Sequence, residues 1–138
     1  MCIFRVCFSE QISRIAKGGK VMIWMLGLGA SAGACVRYLL TNIVKAHVKG
    51  DFPLATFILN VTGALMLGLV VGIKLSSLPY AIIGTGFLGG YTTFSTFNNE
   101  LFSLVKSYNY RMAVIYALTS YIIGIGFAFL GFGIGVKL

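Results

Sequence analysis

"GGYTTFSTFNNE", residues 89–100, sets a glycine pair, hydroxyls at Thr92, Thr93, Ser95 and Thr96, two asparagines and Glu100 between two apolar runs. Upstream stands "YAIIGTGFL" (80–88) and downstream "LFSLV" (101–105). Both neighbours read as buried in a membrane. Lipid tolerates non-helical backbone at depth only where protein or a water-filled cavity satisfies its polar groups. A chain that places helix-breaking glycines and polar side chains here has a polar structure to build inside the bilayer.

The rest of the chain supplies the bilayer setting. Its 138 residues are 58% hydrophobic and 10% charged, with a mean hydropathy of +0.93. Ordinary soluble domains carry roughly 25% charged residues. So short a chain cannot bury this many apolar side chains in one core, and a membrane accepts them. The formal charge of +8 is not a nucleic-acid signal. Arg5, Arg14, Lys17 and Lys20 lie in the first twenty positions and most other cations lie between apolar segments, as membrane-flanking anchors do.

Four spans emerge, each near the ~20 residues a crossing helix needs: Val21–Val44, Phe52–Ile73, Leu78–Val105 with the opening stretch inside it, and Met112–Val136. The hinges are "KAHVKGD", "KLSS" and "KSYNYR". No period-two alternation suggests a barrel. The expected fold is an all-α membrane protein of four transmembrane helices, residues 22–138, preceded by a basic extension, residues 1–21.

That extension has three readings: a signal-like segment, a stretch upstream of a start at Met22, or a basic tail at the membrane surface. Cys2, Cys7 and Cys35 have no metal-ligand spacing and form no disulfide framework. One histidine and three acids leave nothing from which to build a catalytic pair, so no enzyme is expected.

Glycines recur at four-residue spacing inside the spans: Gly29/Gly33, Gly68/Gly72, Gly86/Gly90 and Gly131/Gly135. Small residues at this spacing let helix backbones approach closely in lipid. Four helices enclose little room for a polar path, so an oligomer is expected.

Polar groups inside the spans mark where such a path would run. They are Arg37, Asn60, Glu100 and Ser120, whereas His47 sits in a loop beside Lys45 and Lys49. Arg37 also fits snorkelling at a helix end, and Asn60 also fits an inter-helix bond. A break at Gly89–Gly90 would free carbonyls such as those of Gly89, Tyr91 and Thr92 for a small hard cation. The hydroxyls of Thr92, Thr93, Ser95 and Thr96, with Asn60, offer donors to an anion. Phe94 and Phe97 share a helical face, where ring edges carry positive character; spacing alone favours ordinary packing.

Residues 89–97, "GGYTTFSTF", resemble the signature of the Fluc/CrcB family of fluoride channels, GGxTTFSTF, at all nine positions. "GACVRYLL" (33–40) resembles its first-helix arginine motif, "ATFILNVTGALMLG" (55–68) its second-helix asparagine segment, and "YALTSYIIG" (116–124) its fourth-helix motif. The resemblance covers Met22 to the end of the chain.

The resemblance implies an antiparallel, dual-topology dimer with a broken third helix and two fluoride pores at the interface. It implies a central structural sodium ion held by the backbone carbonyls of Gly89 and Thr92. The pore residues it implies are Asn60, Phe94, Phe97, Ser95, Thr96, Tyr116 and Ser120, with Arg37 at a vestibule and no role fixed for Glu100. The implied function is passive export of toxic cytoplasmic fluoride, giving fluoride resistance across a bacterial plasma membrane. The partners are fluoride, sodium, lipid, and either a second copy or a paralogous subunit, with no nucleic acid.

The loop charges suit dual topology. Arg5, Arg14, Lys17, Lys20, Lys74 and Lys137 face one side, and Lys45, Lys49, Lys106 and Arg111 the other. Six against four becomes two against four from Met22, and a bias this small permits both orientations. Two rivals remain. A proton-coupled small multidrug exporter would want a membrane-embedded acid in its first helix, and Val21–Val44 has none. A structural membrane subunit leaves the polar third span unexplained.

Overall fold

The computed structural model describes residues 19–48 and 52–138. The basic extension lies outside the described residues apart from its last three positions, as do Lys49 and Asp51 of the first hinge. The described residues form helices and short turns, with no strand among them. In chain order these are α1 (Gly19–His47), α2 (Leu54–Gly72), α3 (Ser77–Tyr80), a π-helical stretch (Ala81–Phe87), α4 (Leu88–Tyr91), α5 (Phe94–Lys106) and α6 (Tyr110–Gly135).

Three of the expected spans are single helices long and apolar enough to cross a membrane: Met22–His47, Leu54–Gly72 and Tyr110–Gly135. Pro53 stands immediately before α2 and Pro79 in the first turn of α3, where a missing N–H leaves no helical bond unmade. Large apolar side chains point outward, Trp24 at 74% exposure and Phe129 at 73% among them. That inverts a soluble surface and suits lipid.

After α5 the chain reverses in a Schellman motif. Tyr108 N–H donates to Val105 O and Asn109 N–H to Leu104 O, with Tyr108 in the left-handed conformation at φ 59° that glycine ordinarily takes. Asn109 then stands at the start of α6.

The glycine pairs meet one another. On α2 and α6, a Cβ added at Gly68 would overlap the Ala128 carbonyl, and one at Gly131 would overlap the Leu65 carbonyl. On α1 and the third span, a Cβ at Gly33 would overlap the Phe87 carbonyl, and one at Gly90 the Ala30 carbonyl. Each pair packs on the other, so the bundle is two backbone-close helix pairs.

The third span departs from expectation in two ways. First, the helix does not break at Gly89–Gly90. Both glycines lie in α4, where Gly90 serves close packing on α1 and Gly89 faces open space. The interruption falls at Thr92 (φ −78°, ψ 156°) and Thr93 (φ −145°, ψ 115°), both extended. The cause is side-chain competition for the backbone, described below. Second, Ala81–Phe87 is π-helical, a conformation that is rare and common at functional sites. Two small cores flank the interruption. Leu59, Val70, Leu88 and Tyr91 form one, and Phe97, Leu104, Ala113 and Tyr116 the other.

Candidate functional site at the interrupted third span

α2 shapes the interruption. Asn60 lies opposite Thr93, accepts its backbone N–H at Oδ1 (3.1 Å) and donates from Nδ2 to its carbonyl (3.3 Å). One carboxamide thereby takes both backbone groups of a single residue, as a strand partner would. Two residues on, Thr62 shares a hydrogen bond with the Tyr91 hydroxyl (2.8 Å). A Cβ at Gly63 would overlap the Thr92 methyl. The segment Asn60–Gly63 is a cradle for Tyr91–Thr93.

The threonines complete it. Thr92 Oγ1 donates to the Leu88 carbonyl (2.9 Å). Thr93 caps α5: its Oγ1 accepts the Thr96 N–H (3.3 Å), which is what a helix N-cap supplies. The same hydroxyl donates to Thr96 Oγ1 (2.9 Å) and lies 3.4 Å from Ser95 Oγ. Thr96 Oγ1 and the second Nδ2 proton of Asn60 therefore retain donor capacity with no acceptor among the described residues.

Beside this cluster is an open cleft of about 350 Å³ whose walls include Asn60, Gly63, Gly89, Thr92 and Phe94. Phe94 is 68% exposed at its rim, whereas Phe97 is buried. The two rings stack, 6.3 Å apart with 26° between planes, leaving their edges to other partners. Phe97 also packs on Tyr116 and edge-on to Tyr121.

The remaining sequence candidates lie elsewhere. Tyr116 is fully buried behind α5, and its hydroxyl donates to Glu100 Oε2 (3.0 Å). Ser120, one turn along α6, has a buried Oγ with no hydrogen-bond partner among the described residues. Arg37 is half-buried on α1 and is not among the residues lining the cleft. The structure thus gathers Asn60, Gly89, Thr92 and Phe94 at one cleft, hangs Ser95 and Thr96 from Thr93 beside it, and packs Phe97 against α6, the helix that carries Tyr116 and Ser120.

Sequence reasoning missed Thr56 and a place for Glu100. Thr56 Oγ1 donates to Glu100 Oε1 (3.0 Å), so the carboxylate accepts from α2 and α6 together. Its other side opens on a cavity of about 110 Å³ bounded by Lys45, Val48, Phe52 and Pro53. The signal was present: Thr56, Asn60 and Gly63 are spaced four and three apart, hence on one helical face. Glu100→Ala leaves the Thr56 and Tyr116 hydroxyls unpaired, whereas Tyr116→Phe removes a single donor. We expect the first to cost about 2–4 kcal/mol and the second about 1 kcal/mol, read as thermal midpoints of the detergent-purified protein.

The family model described as "CrcB-like protein, Camphor Resistance (CrcB)" matches residues 24–132. A Lactobacillus acidophilus protein named Fluoride-specific ion channel FluC 2 is 47% identical, over 81% of this chain and 95% of its own length. Proteins named Fluoride-specific ion channel FluC 1 are similar too. The one from Ligilactobacillus salivarius is 49% identical over 80% of this chain and 96% of its own length. The one from Listeria monocytogenes serotype 4b is 44% identical over 81% and 95%. With the family model spanning most of the chain and relatives matched over nearly their whole length, this protein belongs to the Fluc/CrcB family.

Proposed function

We propose that the chain forms a passive, fluoride-selective channel of the bacterial plasma membrane, not an enzyme, that lets cytoplasmic fluoride out. The observation that carries this reading is the Thr92–Thr93 interruption: its hydroxyls, a carboxamide and an exposed ring gather at a cleft that one chain leaves open. Relatives nearly half identical are named for fluoride.

Fluoride is small, strongly hydrated and a good hydrogen-bond acceptor. A narrow path must replace its water with donors that hold it weakly enough to let go. The spare protons of Asn60 and Thr96, the Ser95 hydroxyl once it turns from its long contact with Thr93, and the ring edges of Phe94 and Phe97 have that character, with no fixed cation among them. The unpartnered Ser120 hydroxyl, with Tyr116, extends the track toward α6, and Arg37 raises the anion concentration at a vestibule. Selectivity over chloride follows from width.

One chain supplies only one wall, so the working unit is a dimer of antiparallel copies, or of this chain with a paralogue, with the third span a single interrupted crossing and two pores along the interface. A structural sodium ion at the centre fits the residues present. Thr93 N–H, which would otherwise close on the Gly89 carbonyl, goes to Asn60, and Thr96 N–H goes to Thr93 Oγ1 rather than to the Thr92 carbonyl. Both carbonyls are hard oxygens without their helical donors, and unwound carbonyls of this kind coordinate sodium in membrane proteins. Bound sodium would tie the two copies together; the anion path uses side chains and needs no electron or proton transfer.

Hydrogen fluoride crosses membranes and dissociates at cytoplasmic pH, which traps the anion. A membrane potential negative inside drives it out through a passive pore, at ~2.3 kcal/mol per charge per 100 mV. Expressed in a bacterium lacking its own fluoride exporter, the chain is expected to restore growth in millimolar fluoride. Membrane-inserted protein without rescue, alone and with a paralogue, would argue against the reading. The exporter alternative has no embedded acid in α1 on which to act.

A further inference from the structure

In an unbroken helix the Thr93 N–H would bond the carbonyl four residues back, at Gly89. Here Asn60 Oδ1 accepts it at 3.1 Å, and Asn60 Nδ2 secures the Thr93 carbonyl at 3.3 Å. Asn60 is fixed in turn, because its neighbours Leu59 and Val61 are buried in the packed face of α2. Thr93 is thereby held extended, and its side chain, not the Thr92 carbonyl, receives the Thr96 N–H. Both diversions follow from one carboxamide.

We infer that Asn60 is the positioning residue of the cation site: by capturing the Thr93 peptide it keeps the Gly89 and Thr92 carbonyls free for the ion. The inference rests on the sodium site proposed above. It goes beyond a fluoride-donor role, since Oδ1 and one Nδ2 proton are committed to backbone and a single proton is left for an anion. The same side chain therefore joins the anion path to the structural ion, and occupancy of one is felt at the other through Thr93.

The test titrates sodium against N-methylglucamine at constant ionic strength and follows the thermal midpoint of the detergent-purified dimer. Binding to the folded state alone raises the midpoint, so the half-saturating sodium concentration is read directly. Asn60→Ala, and Asn60→Ser with its shorter reach, are expected to raise that concentration about tenfold or more, equivalent to one hydrogen bond lost to the site. Thr62→Val is the control. It removes the Tyr91 bond between the same two segments, so it lowers the midpoint at every sodium concentration while leaving half-saturation within about twofold.

Either Asn60 variant folding with wild-type sodium dependence would overturn the inference. So would Thr62→Val shifting half-saturation as far as the Asn60 variants do. A wild-type dimer indifferent to sodium would instead sink the sodium site itself, and the inference with it. If Asn60→Ala does not fold, Asn60→Ser decides.

Discussion

Phe94→Ile is expected to slow fluoride efflux about 100-fold or more while the purified protein keeps its size and thermal midpoint. Phe94 is 68% exposed at the cleft rim, so little core packing depends on it in the single chain. A branched aliphatic side chain fills similar space but has no positive ring edge to turn toward the anion. Raising the barrier by about 2.7 kcal/mol suffices for the hundredfold loss. Phe97→Ile is expected to lose flux as well, but it also disturbs packing on Tyr116 and Tyr121 and lowers the midpoint. Phe94 is the cleaner substitution for that reason. Efflux from liposomes, normalised to incorporated protein, decides: wild-type flux through Phe94→Ile would take the rings out of the conduction path.

Gly131→Ala is expected to be among the most damaging small substitutions in the bundle, at about 3 kcal/mol or more. Its added methyl would overlap the Leu65 backbone carbonyl, and backbone cannot rotate away as a side chain does. α2 and α6 must part, which also breaks the reciprocal contact of Gly68 with Ala128. In lipid no hydrophobic drive offsets lost backbone packing. Gly133→Ala, two residues on, meets nothing within 4 Å among the described residues, and there the same change should stabilise the helix by up to about 1 kcal/mol. Folded yield by size-exclusion chromatography and thermal midpoints distinguish the two; equal behaviour would mean α2 and α6 do not pack backbone to backbone.

The helices were legible because their signal is local and redundant. Apolar runs of crossing length bounded by Lys45, Lys74 and Lys106 placed all four spans within a few residues. The glycine spacing announced close packing, but not that the partners would be Gly68 with Ala128 and Gly33 with Phe87; pairing is a tertiary property. The interruption was read three residues early. Glycine is a weak helix former, yet Gly89 and Gly90 stay helical, Gly90 packed against α1 and Gly89 beside it in the same turn. Thr93 leaves the helix because Asn60, thirty-three residues away, outcompetes the Gly89 carbonyl for its N–H. No local pattern reports a competition between distant groups.

The candidate site was legible to a similar degree. The hydroxyl-rich run and Asn60 lie together in the structure, since Thr93 joins them directly. Tyr116 was grouped with them through the fourth-helix resemblance, and its hydroxyl turns to Glu100. Glu100 itself was recognised only as a polar residue at depth. Its partners come from Thr56 and Tyr116, forty-four and sixteen residues distant, a convergence visible only once α2, α5 and α6 are packed.

The fluoride reading stands or falls on ion release from liposomes holding the purified protein, followed with fluoride- and chloride-selective electrodes in matched gradients. Fast fluoride release, with chloride release no faster than from empty liposomes, is the expected result. Folded, dimeric protein that releases no fluoride, alone or co-reconstituted with a paralogue, or that passes chloride as readily, would contradict a fluoride channel.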